Sequence, residues 1–223
     1  MSNVIRILIG AVLALAVAQV AVPRIVSGEM AAELRAVTGP ASQDTVAVDA
    51  VPFWQLFSGQ FQDLTWTAHD VAAAGLTLNT LTLVWTDGGL DPAELVRDHR
   101  LVVTRPGRLK VTLEVDGPAL AHFLAQSGRL QNASVTVTPN GLHVTGAVHV
   151  GGLSGPLDAT GQLKLSADAQ QILFEPTRVD GYSVPFAATL VVFDVRTLNL
   201  PVPLRLTGVR LAPPFVVVTA ASP

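Results

Sequence analysis

The chain has 223 residues, 49% of them hydrophobic and only 14% charged, where an average soluble domain carries about 25% charged residues; this balance excludes a disordered chain. A net charge of −3, with 14 Lys and Arg spread along the sequence, excludes the dense basic surface that nucleic-acid binding needs. Cysteine is absent, which excludes disulfides, thiolate metal sites and a cysteine nucleophile.

The first element is residues 7–22, ILIGAVLALAVAQVAV, with Arg6 before it, Pro23 and Arg24 after it, and Gln19 as its only strongly polar member. As a helix it would span roughly 24 Å at 1.5 Å per residue, somewhat short of a ~30 Å hydrocarbon core. It reads either as a signal peptide, with Ala16-Val17-Ala18 as a small-x-small cleavage site, or as an uncleaved anchor running into a helix over 24–37. Both readings place the rest of the chain outside the cytoplasm. The expected organisation is therefore a signal or transmembrane segment over 1–23, a helical stalk and linker over 24–44, and one α+β domain over 45–223.

Short strands dominate after the polar break at 38–44. Residues 45–50 alternate, and 62–70 and 76–86 follow, separated by a turn over 72–75. The cleanest strand is 107–115, GRLKVTLEV, with Leu109, Val111, Leu113 and Val115 on one face. Pro139-Asn140-Gly141 between 133–138 and 142–150 predicts a hairpin, because Asn-Gly tolerates the positive φ of a tight turn. Further strands are expected at 159–166, 171–174, 189–194, 204–211 and 215–220. Leu76 and Leu78 are out of phase with Leu81, Leu83 and Trp85, which predicts a β-bulge between them. Gly146, Pro185, Pro201 and Pro203 inside strand-like stretches point to strong curvature. Consecutive strands joined by short turns imply antiparallel pairing.

Three short helices interrupt the strands. Residues 52–58 (PFWQLFS) end at Gly59 in a C′ position. Residues 92–97 start behind Asp91 as N-cap with proline first. Residues 118–127 start behind Asp116 or Gly117, and Leu120, Phe123 and Leu124 form an i, i+3, i+4 stripe.

Catalytic chemistry has little support. His69, His99, His122, His143 and His149 form no HExxH or comparable pair. Gly151-Gly152-Leu153-Ser154-Gly155 follows a strand but precedes no helix, so it reads as a flexible turn and not as a phosphate loop. Asp63, Asp70, Asp87 and Asp91 have the spacing of turn and cap residues. No catalytic residue, metal or cofactor is expected. What stands out is apolar surface: many alternating strands present a wide hydrophobic face, and amphipathic helices that do not cover it fully would leave a groove for an acyl chain. A closed core would favour a different role, an envelope interaction module pairing through an exposed sheet edge near 215–220.

Residues 51–86 resemble the LmeA-like phospholipid-binding family of bacterial envelope proteins. The likeness lies in Pro52-Phe53-Trp54-Gln55-Leu56-Phe57-Ser58-Gly59-Gln60-Phe61, Leu64-Thr65-Trp66, Gly75-Leu76-Thr77-Leu78 and Leu81-Thr82-Leu83. The helix over 118–126 and the C-terminal Leu198-Asn199-Leu200-Pro201-Val202-Pro203-Leu204 extend it. This resemblance implies a tubular lipid-binding-like fold, a strongly curved, mainly antiparallel sheet wrapped on helices, that holds a phospholipid without catalysis. The lining residues it suggests are Phe53, Leu56, Phe57, Phe61, Trp66, Leu78 and Leu83, with Leu120, Phe123 and Leu124 from the central helix. Arg105 and Arg108, near a strand start, read either as solvated surface arginines or as groups that would meet a headgroup phosphate.

Overall fold

The computed structural model describes residues 43–49, 58–73, 75–98, 102–126, 130–150, 153–180, 182–183, 190–198 and 202–223. The segment 7–22, the stalk 24–37 and the helix over 52–57, which carries Phe53, Leu56 and Phe57, lie outside the described residues. Among those described, no helix is long and apolar enough to cross a membrane.

In chain order the elements are β1 (Gln43–Asp49), β2 (Asp63–Ala73), β3 (Leu76–Thr86), β4 (Gly89–Leu90), helix α1 (Pro92–Asp98), β5 (Val103–Arg105), β6 (Arg108–Asp116) and helix α2 (Gly117–Gln126). They continue with β7 (Gln131–Thr138), β8 (Gly141–Val150), β9 (Leu153–Leu165), β10 (Gln171–Val179), β11 (Tyr182–Ser183), β12 (Leu190–Asp194), a 3-10 turn (Val195–Leu198), β13 (Arg205–Ala212) and β14 (Phe215–Ala221). One sheet has the order β1-β2-β3-β6-β14-β13; a second runs β11-β10-β9-β8-β7, with β12 also on β10; β4 and β5 pair separately. The pairing is antiparallel within both larger sheets, and the fold is mostly antiparallel sheet, curled as a half-barrel, with one principal helix.

Two expectations change here. The strands form two sheets and not one wide face, although their inner sides share a single core that runs from Leu64 and Trp66 to Val135, Val144, Ile172 and Phe174. Phe215–Ala221 is hydrogen-bonded on both sides, to β6 and to β13, so the sheet edge proposed there does not exist. The edges of that sheet are β1 and β13.

The inner face follows from alternation. Leu109, Val111, Leu113 and Val115 of β6 are all buried between exposed or half-buried neighbours. The phase change near Leu78 is present, but it is not a one-strand bulge. Ala68 pairs with Leu81 and Val71 with Leu78, so register is the same on both sides. Both strands switch faces together, and Asp70 takes a left-handed φ of 52° at the switch. Each strand thus keeps its leucines and valines inside through the bend. On the outer face, Thr67, Thr82, Thr112 and Thr219 pair in a row across four strands. Thr207 Oγ1 lies 3.1 Å from Thr219 Oγ1 and extends it to β13. Threonine suits a solvated strand face because its branched Cβ fits the pleat, which is how the fold stays polar outside with few charges.

Turn and cap chemistry sets the connections. The hairpin at Asn140-Gly141 joins β7 to β8 as expected. Residues 153–155, expected in a flexible turn, belong to β9 and pair with β8. Pro156 is tolerated because β10 joins β9 only from Ala159 onward, so that among the described residues one side of β9 is unpaired there. Asp91 Oδ1 accepts the Ala93 and Glu94 N–H groups at 2.9 and 3.2 Å and caps α1. On the 3-10 turn, Arg196 donates to Asp194 through Nε and its own N–H, which holds the Asp194 carboxyl well below the usual carboxylate range.

Helix α2 is placed by one residue pair. The β3–β6 ladder ends at Thr80–Glu114. Asn79 then donates Nδ2 to Asp116 Oδ2 at 2.9 Å and accepts the Asp116 N–H at 2.8 Å. Asp116 Oδ1 in turn accepts the Ala119 N–H at 2.8 Å, an N-cap at the point where strand becomes helix. Asp116→Ala is therefore expected to lower stability by about 1–2 kcal/mol, read as an earlier urea midpoint at unchanged slope; an unmoved midpoint would mean that the cap does not hold the helix.

Candidate functional site

At one end of β2 and β3 the chain builds a narrow, tightly tied mouth. The Phe61 N–H donates to the Gly88 carbonyl at 3.2 Å, the Leu90 N–H to the Gly59 carbonyl at 2.7 Å, and Gln60 bridges Gly89. Gly59, at φ 73°, takes the left-handed conformation expected of a C′ glycine. The Phe61 ring meets Trp85 edge-on, with centroids 5.1 Å apart and planes at 81°. Gly88 makes room for both: a Cβ there would lie 2.5 Å from Phe61 Cζ and 2.7 Å from Trp85 Nε1. Trp85 Nε1 donates to the Pro106 carbonyl at 2.7 Å.

Outside this aromatic pair lies a cleft of about 510 Å³ lined by Ser58, Gln60, Leu90, Asp91, Thr104 and Arg105. Arg105 is exposed and its guanidinium has no carboxylate partner among the described residues. Arg108 is placed differently. It is exposed, pairs with Asp87 at 2.9 Å, and lines a separate cleft of about 430 Å³ with Val84, Lys110 and Thr207. Of the two arginines named from sequence, only Arg105 faces the mouth.

Inward of the mouth the face is apolar. Paired rows across β2 and β3 are Leu64–Trp85, Trp66–Leu83, Ala68–Leu81 and Val71–Leu78, and all eight side chains are buried. From Trp85 to Leu78 is seven residues, roughly 23 Å of strand, the scale of an extended long acyl chain. At the far end Leu120 of α2 is buried, while Phe123 and Leu124 are half-buried and packed against the core. Phe61, Trp66, Leu78, Leu83 and Leu120 thus share one continuous core with Phe123 and Leu124 at its rim. Trp85 was not among the candidates, although its place at the end of the Leu81, Leu83, Trp85 alternation is the signal that puts it on this face.

One polar atom in the lining is unmatched. Trp66 is fully buried, and its Nε1 has no hydrogen-bond partner, the single buried side-chain polar atom in that state among the described residues. Leaving such a donor unpaired costs about 1–3 kcal/mol. The neighbouring Trp85 avoids that cost through Pro106.

Elsewhere polar groups serve structure. His143 Nε2 lies 2.8 Å from Asp158 Oδ1 on the surface, and no group of three His, Asp or Glu able to hold a metal occurs among the described residues. Among the described residues, the inner face of the antiparallel shell is apolar and packed on itself, and polar side chains serve caps, turns and the solvated outer face. The family model for LmeA-like phospholipid-binding proteins matches residues 17–221, and the chain belongs to that family. No curated protein and no solved structure matches it.

Proposed function

We propose that this protein binds a phospholipid, with its acyl tail along the inner face between Trp85 and α2 and its headgroup in the cleft at Arg105, and that it catalyses no reaction. The continuous apolar core from Phe61 to Phe123, with the exposed Arg105 near one end and no carboxylate partner for it among the described residues, carries this conclusion together with the family. Burial gains about 0.8 kcal/mol per CH₂, so ten methylenes correspond to roughly 8 kcal/mol before the cost of association. In lipid-free protein the same side chains pack on one another, and the half-buried Phe123 and Leu124 mark where the tail displaces them. The binding domain stands on the extracytoplasmic side of a bacterial membrane, with residues 1–23 as signal or anchor, and serves envelope lipid maintenance or transfer.

Native mass spectrometry of the chain purified from membranes tests the binding directly. A co-purifying mass equal to a phospholipid supports it; clean apoprotein that also fails to load from phosphatidylglycerol vesicles overturns it. Arg105→Glu tests the headgroup end. Stability should stay within about 0.5 kcal/mol of wild type, because the side chain is exposed. Loading of phosphatidylglycerol should fall roughly three- to fivefold, the scale of one exposed ion pair. Unchanged loading would place the headgroup elsewhere.

A further inference from the structure

Among the described residues, the Trp66 indole is the one buried side-chain donor without a hydrogen-bond partner. Backbone acceptors on either side of it are committed to the ladders with β1 and β3. The indole is larger than a phenyl ring and fills its place, but the packing gives no use to its N–H. An acceptor supplied from outside does.

The chemistry of a phospholipid leaves few choices. Its tails carry no acceptor, and its phosphate is a charge whose burial at this depth would be far costlier than the bond could return. The acyl ester carbonyl is the acceptor that sits where headgroup and tail meet. Trp66 occupies the matching depth: its row with Leu83 is one two-residue step, about 7 Å of strand, inward of the Leu64–Trp85 row, and Trp85 meets Phe61, the chain neighbour of Gln60 in the Arg105 cleft.

We infer that the Trp66 Nε1–H is the group that reads the acyl ester carbonyl of the bound lipid, so that the site takes diacyl, ester-linked lipids in preference to ether-linked ones. This rests on the phospholipid reading above and adds the linkage class. A dialkyl ether lipid of the same headgroup and chain length offers the same apolar surface. Its ether oxygen is a weaker acceptor and lies in line with the chain, where a carbonyl oxygen projects sideways from it.

The test is a competition on the full chain in detergent, with equimolar dipalmitoyl phosphatidylglycerol and its dihexadecyl ether analogue, the bound ratio being read by native mass spectrometry. Wild type should take the diester roughly tenfold over the diether, the discrimination that one buried hydrogen bond provides. Trp66→Phe should bring the ratio close to one while still loading both lipids. Equal loading by wild type, or a preference that survives in Trp66→Phe, overturns the inference and leaves phospholipid binding standing. The wild-type ratio decides the matter even if the variant does not fold. If wild type loads neither lipid, phospholipid binding itself fails, and the linkage preference with it.

Discussion

Replacing Gly117 by alanine is expected to destabilise the protein by about 2–3 kcal/mol, although alanine is the better helix former. Gly117 begins α2 directly against β7. A Cβ at that position falls far inside contact distance of the Val135 carbonyl oxygen and 3.1 Å from its carbon. The obstacle is backbone, so no rotamer change relieves it, and the helix must move off the strand or the strand must bend. Overpacking of this kind costs about 1–3 kcal/mol or more. The gain from removing a glycine is at most about 1 kcal/mol, and smaller at a helix end than in its interior. The steric term wins. For a chain of this size the loss corresponds to a melting temperature lower by about 4–12 °C. Gly155→Ala supplies the control, since nothing lies within 4 Å of a Cβ at Gly155; that variant should match wild type or gain slightly. Equal melting of Gly117→Ala and wild type would mean that α2 does not sit on β7 as described.

Local signals in the sequence led to the elements wherever one interaction decides the outcome. The strand expected at 107–115 is Arg108–Asp116, because four alternating apolar residues admit only one buried face. The helix expected at 118–127 is Gly117–Gln126, because Asp116 and Pro118 fix its start. Asp91 caps α1, and Asn140-Gly141 turns the β7–β8 hairpin, for equally local reasons. Non-local pairing was not legible. Nothing near Phe215 says that β14 inserts between β6 and β13, and nothing near Leu78 says that the strand opposite switches face in step. Leu153, Ser154 and Gly155 resemble part of a turn until β8 is known to run beside them. The candidate site divides along the same line. Phe61, Trp66, Leu78, Leu83, Leu120, Phe123 and Leu124, named with the family resemblance, all lie in the shared core or packed against it. Which of them border a mouth depends on the tie between Phe61 and Gly88, 27 positions apart (88 − 61), and the unmatched Trp66 N–H is a property of surroundings that no sequence pattern encodes.

Phe61→Ala is the substitution expected to weaken the mouth most. Phe61 is 5% exposed and follows Gln60, which lines the Arg105 cleft. Truncating a buried phenylalanine costs about 3–5 kcal/mol, a large fraction of the roughly 5–15 kcal/mol that holds a domain together. The upper half of that range applies here, because the space cannot collapse: Gly88 has no side chain to move in, and Trp85 is held in place by its bond to Pro106. Phe61→Leu keeps most of the volume and loses the edge-on contact with Trp85, so it should cost only about 1–1.5 kcal/mol. The two variants therefore separate filling the space from the aromatic geometry. Tryptophan emission adds an independent reading. Trp85 is 4% exposed beneath the Phe61 ring, and uncovering it in Phe61→Ala should shift the emission to the red, while Phe61→Leu should leave it nearly unchanged. A Phe61→Ala protein that melts within about 1 kcal/mol of wild type with unshifted emission would show that Phe61 does not seal the apolar face, and the mouth would then have to lie elsewhere on the sheet.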